Sequence, residues 1–371
     1  MTKLFSIGLF LIFGWLYLGC TPPQSYLEKN LSEGVFKGVW VTNVGSDVLL
    51  SEDNIKSMIS QCKKYKIDQL FVVVWNKGVT QYPSDVLEKY TSIRQESLLS
   101  HFDPLKSLIE QAHQQRMKVH AWFEFGFSFA YNDPNSIWIK KYPEWLGRDQ
   151  NGKILKKNNF MWWNALHPGP QEFLLELVEE VVTNYDIDGI QGDDRLPAMP
   201  SEGGYDPYTK SLFRDQFNTL PPQDHKDPDW IKWRSTQLNG FAKKLYEKVK
   251  SIDPTILVSW APSIYPWSEE EYLQSWPDWI RGGYADFVVP QFYRYKLEDY
   301  TKIIDQLDDQ LTPQERSKIY AGVLTALGGG YRINDSLLVD MVNYHRSRGI
   351  QGEVFFYFEK FNRQNSNNSS K

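Results

Sequence analysis

The stretch Lys118-Val119-His120-Ala121-Trp122-Phe123-Glu124-Phe125 reads as a strand buried on both faces, because apolar residues run through most of it. Just before it, Leu105, Leu108, Ile109 and Ala112 recur at three- and four-residue intervals, the spacing of one helix face. A helix laying such a stripe on a two-sided strand is the repeating unit of a parallel α/β sheet. Moving outward, strand-like runs recur at residues 38–43, 69–75, 118–125, 187–194, 255–262, 285–293, 319–327 and 352–359. Between them lie further stripes, such as Ile55, Met58, Ile59 and Cys62, or Phe173, Leu174, Leu177, Val178 and Val181. Eight such units predict an α/β fold of the (β/α)8 TIM-barrel type over residues 34–361. The polar tail 362–371 follows strand eight so closely that the eighth helix is expected to be short or missing. Residue 43 leads into Val44-Gly45-Ser46-Asp47, which lacks the glycine-rich phosphate loop of a dinucleotide-binding sheet.

A chain of 371 residues with a formal charge of -5 offers no basic stripe for a phosphate backbone, so nucleic acid is excluded as a partner. Aromatic residues make up 15% of the chain, including 14 Trp, either as core or as platforms for flat ligands. Residues 1–20 combine Lys3, an apolar run and Gly19-Cys20, the pattern of an export signal ending at a lipidation cysteine. This predicts an exported protein held at a membrane of the cell envelope by a lipid anchor on Cys20. Residues 21–33 then read as a polar linker. Removal of the signal leaves Cys62 without a disulfide partner, at a buried helix position.

Loops after strands form the working face of a barrel. Those after strands two, three and four are long, at residues 76–101, 126–168 and 195–228, and the second is rich in Trp and Tyr. Glu124 ends strand three among apolar neighbours, which raises a carboxyl toward general-acid duty. Strand four ends in Gln191-Gly192-Asp193-Asp194-Arg195. Successive strand side chains point to opposite faces, so Asp193, sharing the face of Gln191, is the preferred inward residue. Arg195 beside the pair favours ionised carboxylates there. Glu359 supplies a further rim carboxylate, while Asp188 and Glu353 fall at the opposite, structural end. Two carboxyls, one protonating a leaving oxygen and one attacking or activating water, are what glycoside hydrolysis needs. Asn43, Asn76, Asn164, Gln291 and Tyr293 are candidates for binding sugar hydroxyls, and Trp75, Trp122 and Trp260 either stack on sugar rings or fill the rim. The six His residues show no ligand spacing, so no metal or other cofactor is expected. No Ser stands in a nucleophile elbow.

Together, Gly38-Val39-Trp40-Val41-Thr42-Asn43, Val74-Trp75-Asn76, Ala121-Trp122-Phe123-Glu124-Phe125, the run from Asp186 to Asp194, and Val289-Pro290-Gln291-Phe292-Tyr293-Arg294 resemble the glycosyl-hydrolase-like family ten, a group of bacterial envelope proteins. The resemblance covers nearly all of the chain after the linker. It implies a barrel glycosidase, commonly exported or lipid-anchored, with Glu124, Asp193 and Asp194 as catalytic carboxylates. It also implies a polymeric glycan as substrate, foremost the glycan strands of peptidoglycan. Arg195 stands where members often carry His. A glycan-binding barrel without activity and an α-glucan hydrolase are the alternatives.

Overall fold

The computed structural model describes residues 25–31, 36–328 and 330–362. The predicted signal, Cys20 and the tail beyond residue 362 lie outside them. Eight parallel strands form the centre: β1 (Phe36–Val41), β2 (Gln69–Val73), β3 (Lys118–Phe123), β4 (Gly189–Gly192), β5 (Leu257–Trp260), β6 (Phe287–Val288), β7 (Ala321–Leu324) and β8 (Gly352–Phe356). Hydrogen bonding runs β6-β5-β4-β3-β2-β1-β8-β7. The remaining seam is closed by parallel bridges Val288–Ile319 and Gln291–Gly322. There the Gly322 amide donates to Pro290 O, and the Phe292 amide to Gly322 O, each at 3.0 Å. A Cβ at Gly322 would stand 2.6 Å from Pro290 O, so only glycine lets the seam approach this closely. The fold is a TIM barrel.

The outer helices begin where capping chemistry permits. Helix α1 (Glu52–Lys64) starts behind Ser51, whose side chain accepts from the Asn54 amide. Helix α2 (Pro104–Gln114) starts behind Asp103 in the same manner, with proline in its first turn. Helix α3 (Pro168–Asn184) follows β3, α4 (Pro228–Ile252) follows β4, α5 (Trp276–Arg281) follows β5, α6 (Leu297–Asp305) follows β6 and α7 (Asp335–Ser347) follows β7. Every residue of the three predicted stripes is buried against the sheet, Cys62 included. Inside the barrel Trp40 Nε1 donates to Gln191 Oε1 at 2.7 Å, and Gln191 Nε2 to Ser259 Oγ at 3.2 Å. These bonds satisfy a polar layer in an otherwise aromatic interior.

After β8 the described residues contain a 3-10 turn, Phe358–Lys360, and no eighth helix. The position between α7 and α1 is taken instead by chain read as linker in the sequence. Helix Tyr26–Asn30 packs on α7, buries Leu27 and Leu31, and pairs Glu28 with Lys64 of α1 at 2.9 Å. A residue pattern this short carries no readable periodicity, which is why it passed for linker. Leu27→Ala is expected to lower stability by about 2–3 kcal/mol, read as a lower urea midpoint.

Candidate active site

The site lies where β1, β2, β3, β4 and β6 end. Glu124 directly follows β3, at the rim. Asn76 Nδ2 donates to its Oε2 at 2.6 Å and Thr42 Oγ1 to the same oxygen at 3.4 Å. Asn76 Nδ2 also donates to Asn43 Oδ1 at 2.9 Å, so two strand ends fix one carboxylate oxygen. Asp193 is buried and turned inward, accepting at Oδ1 from Gln291 Nε2 at 2.9 Å. Asp194, on the other face of the turn, keeps 29% of its side chain exposed. The alternation expected from the sequence thus holds past the end of β4.

Arg195 joins all three carboxylates. Its Nη2 lies 3.4 Å from Glu124 Oε1 and 3.4 Å from Asp193 Oδ2, and its Nη1 lies 3.0 Å from Asp194 Oδ1. Twice 3.4 Å, about 6.8 Å, is therefore the upper limit on the separation of those Glu124 and Asp193 oxygens. Arg195 Nε also donates to Glu124 O at 3.0 Å. The guanidinium lies over the rings of Phe125 (5.3 Å to the centroid) and Phe160 (4.7 Å), a setting that suits a planar cation.

Burial raises the Glu124 carboxyl, Arg195 opposes the rise, and Asp194 adds to it. Burial pushes Asp193 well above the ordinary carboxylate range, with Asp194 reinforcing it against Arg195. The sequence reading had Arg195 keeping the pair ionised. At Asp193 the loss of water and the neighbouring charge outweigh that one cation. Glu124 and Asp193 therefore hold their protons to higher pH than exposed carboxyls do. The Tyr293 phenol is raised by burial and then by Asp193, Asp194 and Glu124, so beside the trio it remains a hydroxyl and a donor.

The structure brings together Glu124, Asp193, Asp194, Asn43, Asn76, Gln291 and Tyr293. It sets the other candidates elsewhere. Trp75 is wholly buried, donates to Gly126 O at 3.0 Å and stacks on Trp163. Trp260 is wholly buried against Trp279 and donates to Tyr284 O at 2.9 Å. Trp122 lies inside the barrel beside Trp40, under Glu124 on the same strand face. Asn164 is buried and donates to Asp206 Oδ1 and Thr209 Oγ1, each at 2.9 Å, tying the β3 loop to the β4 loop. Glu359 accepts from Ser46 Oγ at 2.8 Å and Asn362 Nδ2 at 3.0 Å, holding the β1 loop. At the opposite end, Asp188 binds Lys118 and His113, and Glu353 binds His345 and Arg346. Thr42 was missed in the sequence, although it precedes Asn43 at a strand end. Gln274, whose Nε2 donates to Asp193 O at 3.2 Å, had no sequence signal.

Among the described residues no group of three His, Cys, Asp or Glu could hold a metal ion, and no helix is long and apolar enough to cross a membrane. A closed parallel barrel whose rim gathers carboxyls with amide donors is an architecture on which glycoside hydrolysis can be built. The sequence identifies the family: residues 35–357 match the model of Glycosyl hydrolase-like 10, and the chain belongs to this family. It is 21% identical over 308 residues to Glycosyl hydrolase YngK of Bacillus subtilis, covering 72% of this chain and 56% of that one. It is 22% identical over 349 residues to Glycosyl hydrolase DigH of Escherichia coli K12, covering 82% and 76%. The chain thus spans little more than half the length of the Bacillus relative. The PgaB (BpsB) glycoside hydrolase domain of Bordetella bronchiseptica shares the fold at a TM-score of 0.66 and 14% identity, over 88% of this chain and 94% of that one. Alpha-L-fucosidase isoenzyme 2 of Paenibacillus thiaminolyticus superposes at 0.61 with 17% identity, over 89% and 47%.

Proposed function

We propose that the chain cleaves the glycan strands of peptidoglycan by a two-carboxylate mechanism, with Glu124 as acid and base and Asp193 as nucleophile. The observation that carries this reading is the Arg195 bridge, which holds Glu124 and Asp193 within about 6.8 Å at the rim. Retaining enzymes keep their carboxyls roughly 5–5.5 Å apart and inverting ones roughly 6.5–9.5 Å; the bridge keeps the facing oxygens short of most of the inverting range, and retention is the course we propose. Asn76 and Thr42 donate to Glu124 Oε2, so the proton is assigned to Oε1, which Arg195 Nη2 approaches only at 3.4 Å. Asp193, its carboxyl raised by burial, attacks in its ionised form, which Gln291 and Arg195 support by donating to one oxygen each.

In the proposed first step Glu124 protonates the glycosidic oxygen. The bond to the anomeric carbon breaks while Asp193 attacks that carbon, giving a glycosyl ester. Glu124, now ionised, takes a proton from water, and that water displaces Asp193. Asp194 keeps its ion pair with Arg195 while Glu124 loses and regains its proton and Asp193 passes from carboxylate to ester and back. The choice of a cell-wall strand is supported by the family and by the export-type first twenty residues. An acylated Cys20 would hold the enzyme in the envelope beside such a substrate.

Incubating the protein with purified peptidoglycan strands and with a panel of neutral glucans, and measuring new reducing ends, tests the reading. Release from peptidoglycan alone is expected. Release from glucans alone overturns the substrate assignment, and binding without release from either overturns hydrolysis.

A further inference from the structure

The loop after β3 forms a small antiparallel sheet from residues 128–131, 156–157 and 160–162. Asn158 and Asn159, with φ of 52° and 70°, make the two-residue turn that joins its last two strands, a conformation asparagine tolerates. Register puts Tyr131, Phe160 and Lys157 in one row, and period-two alternation adds Trp162 to the same face. Met161 and Ala130, on the other face, are buried.

This row, exposed at Tyr131 and with Trp162 itself buried, meets the loop after β5. Trp162 lies 5.9 Å from Tyr272, which lies 5.5 Å from Trp267, and Phe160 lies 5.0 Å from Tyr131. Asn158 Nδ2 donates to the Tyr272 hydroxyl at 3.1 Å. Burial and then the charge of Asp194 push the Tyr272 phenol up to about 12, so it stays a hydroxyl near the carboxyls. Phe160 is also the ring under Arg195. An aromatic wall therefore starts at the catalytic cation and runs out to Tyr131 and Trp267, which are 45% and 44% exposed. Its cation, Lys157, is neutralised by Glu271 at 2.6 Å and Glu202 at 3.0 Å.

We infer that this wall is a binding subsite for sugar units beyond the scissile bond. Its occupant is a run of pyranose rings of the same glycan chain, held by their C–H faces and hydroxyl rims. Apolar ring faces with an amide and a phenol at their edges suit sugar, which presents C–H faces and hydroxyl rims. Lys157 is already paired with Glu271 and Glu202, so recognition along the wall comes from ring faces rather than charge. Exposed rings of this size joined to a catalytic cleft are functional surface rather than stray apolar residues. The inference rests on the glycan-cleaving reading above and names where the polymer's remote binding energy is collected.

The test uses a Tyr131→Ala/Trp267→Ala double variant, with Tyr26→Ala, an exposed ring on the N-terminal helix, as control. kcat/KM is measured on a short and a long oligosaccharide cut from one glycan strand. Binding of both is measured by calorimetry with and without Glu124→Gln. The parent's preference for the long substrate is expected to fall about tenfold in the double variant and to stay in the control, with a matching loss of long-chain affinity. A preference that survives the double variant, or a parent indifferent to length, overturns the subsite. If the parent cleaves neither oligosaccharide, the hydrolase reading falls. Length-dependent binding that the double variant abolishes would still uphold the wall, and binding indifferent to length would overturn it.

Discussion

Glu124→Gln is expected to lower kcat on the cleaved glycan by roughly 10³–10⁴-fold, with Asp193→Asn similar, while neither variant lowers the melting temperature at neutral pH. The two halves of this result have one cause. Burial raises the folded Glu124 carboxyl above its unfolded value. A group shifted in that direction favours the folded state fully below the unfolded value and loses that contribution as pH rises through the folded one. Above the folded value the parent therefore carries the cost of buried negative charge that the amide removes. The amide oxygen can still accept from Asn76, and Arg195 keeps Asp193 and Asp194 as partners. The parent should gain stability relative to Glu124→Gln as pH falls from neutral toward the ordinary carboxylate range. Thermal melts across pH, beside rate measurements, check both halves. Full activity in both folded variants would remove these carboxyls from the mechanism.

Trp163→Ala is expected to cost about 3–5 kcal/mol, the largest loss of stability foreseen from one side chain. Trp163 is wholly buried and touches the rings of Trp75, Phe129, Trp138, Trp145 and Phe173. Its Nε1 has no hydrogen-bond partner, so the loss is one of packing and cavity formation. The cluster fastens the β3 loop onto β2 and α3, and the void cannot close without moving them. A urea titration should show the lower midpoint. A loss below about 1 kcal/mol would mean that the neighbouring rings collapse into the space.

What the sequence made legible follows from range. Strands and helix stripes are patterns over a few residues, so Leu105, Leu108, Ile109 and Ala112 announced α2 without knowledge of their partners. Glu124 and Asp193 were legible because strand ends point to the rim and alternation selects one of two adjacent aspartates. Contacts across the barrel were not: neither Asn76 donating to Glu124 nor Gln291 donating to Asp193 leaves a local signature. The tryptophans show the same limit. A ring is equally suited to core and to sugar, and Trp260 is decided by the Tyr284 carbonyl and Trp279, both reached only through folding. Arg195 was read correctly as a neighbour of the pair, but its effect depended on burial, which composition does not supply.

The guanidinium between Phe125 and Phe160 has a consequence for how such an enzyme can diverge. Phe125 belongs to the end of β3, whereas Phe160 arrives on the hairpin that begins the aromatic wall. In the proposed reading the hairpin is thus both part of the surface facing the polymer and one jaw of the clamp on the guanidinium beside Glu124. Remodelling it for a new glycan shifts the working pH in the same stroke. Chimeras that exchange this hairpin between relatives should inherit acidity and chain preference as one linked trait.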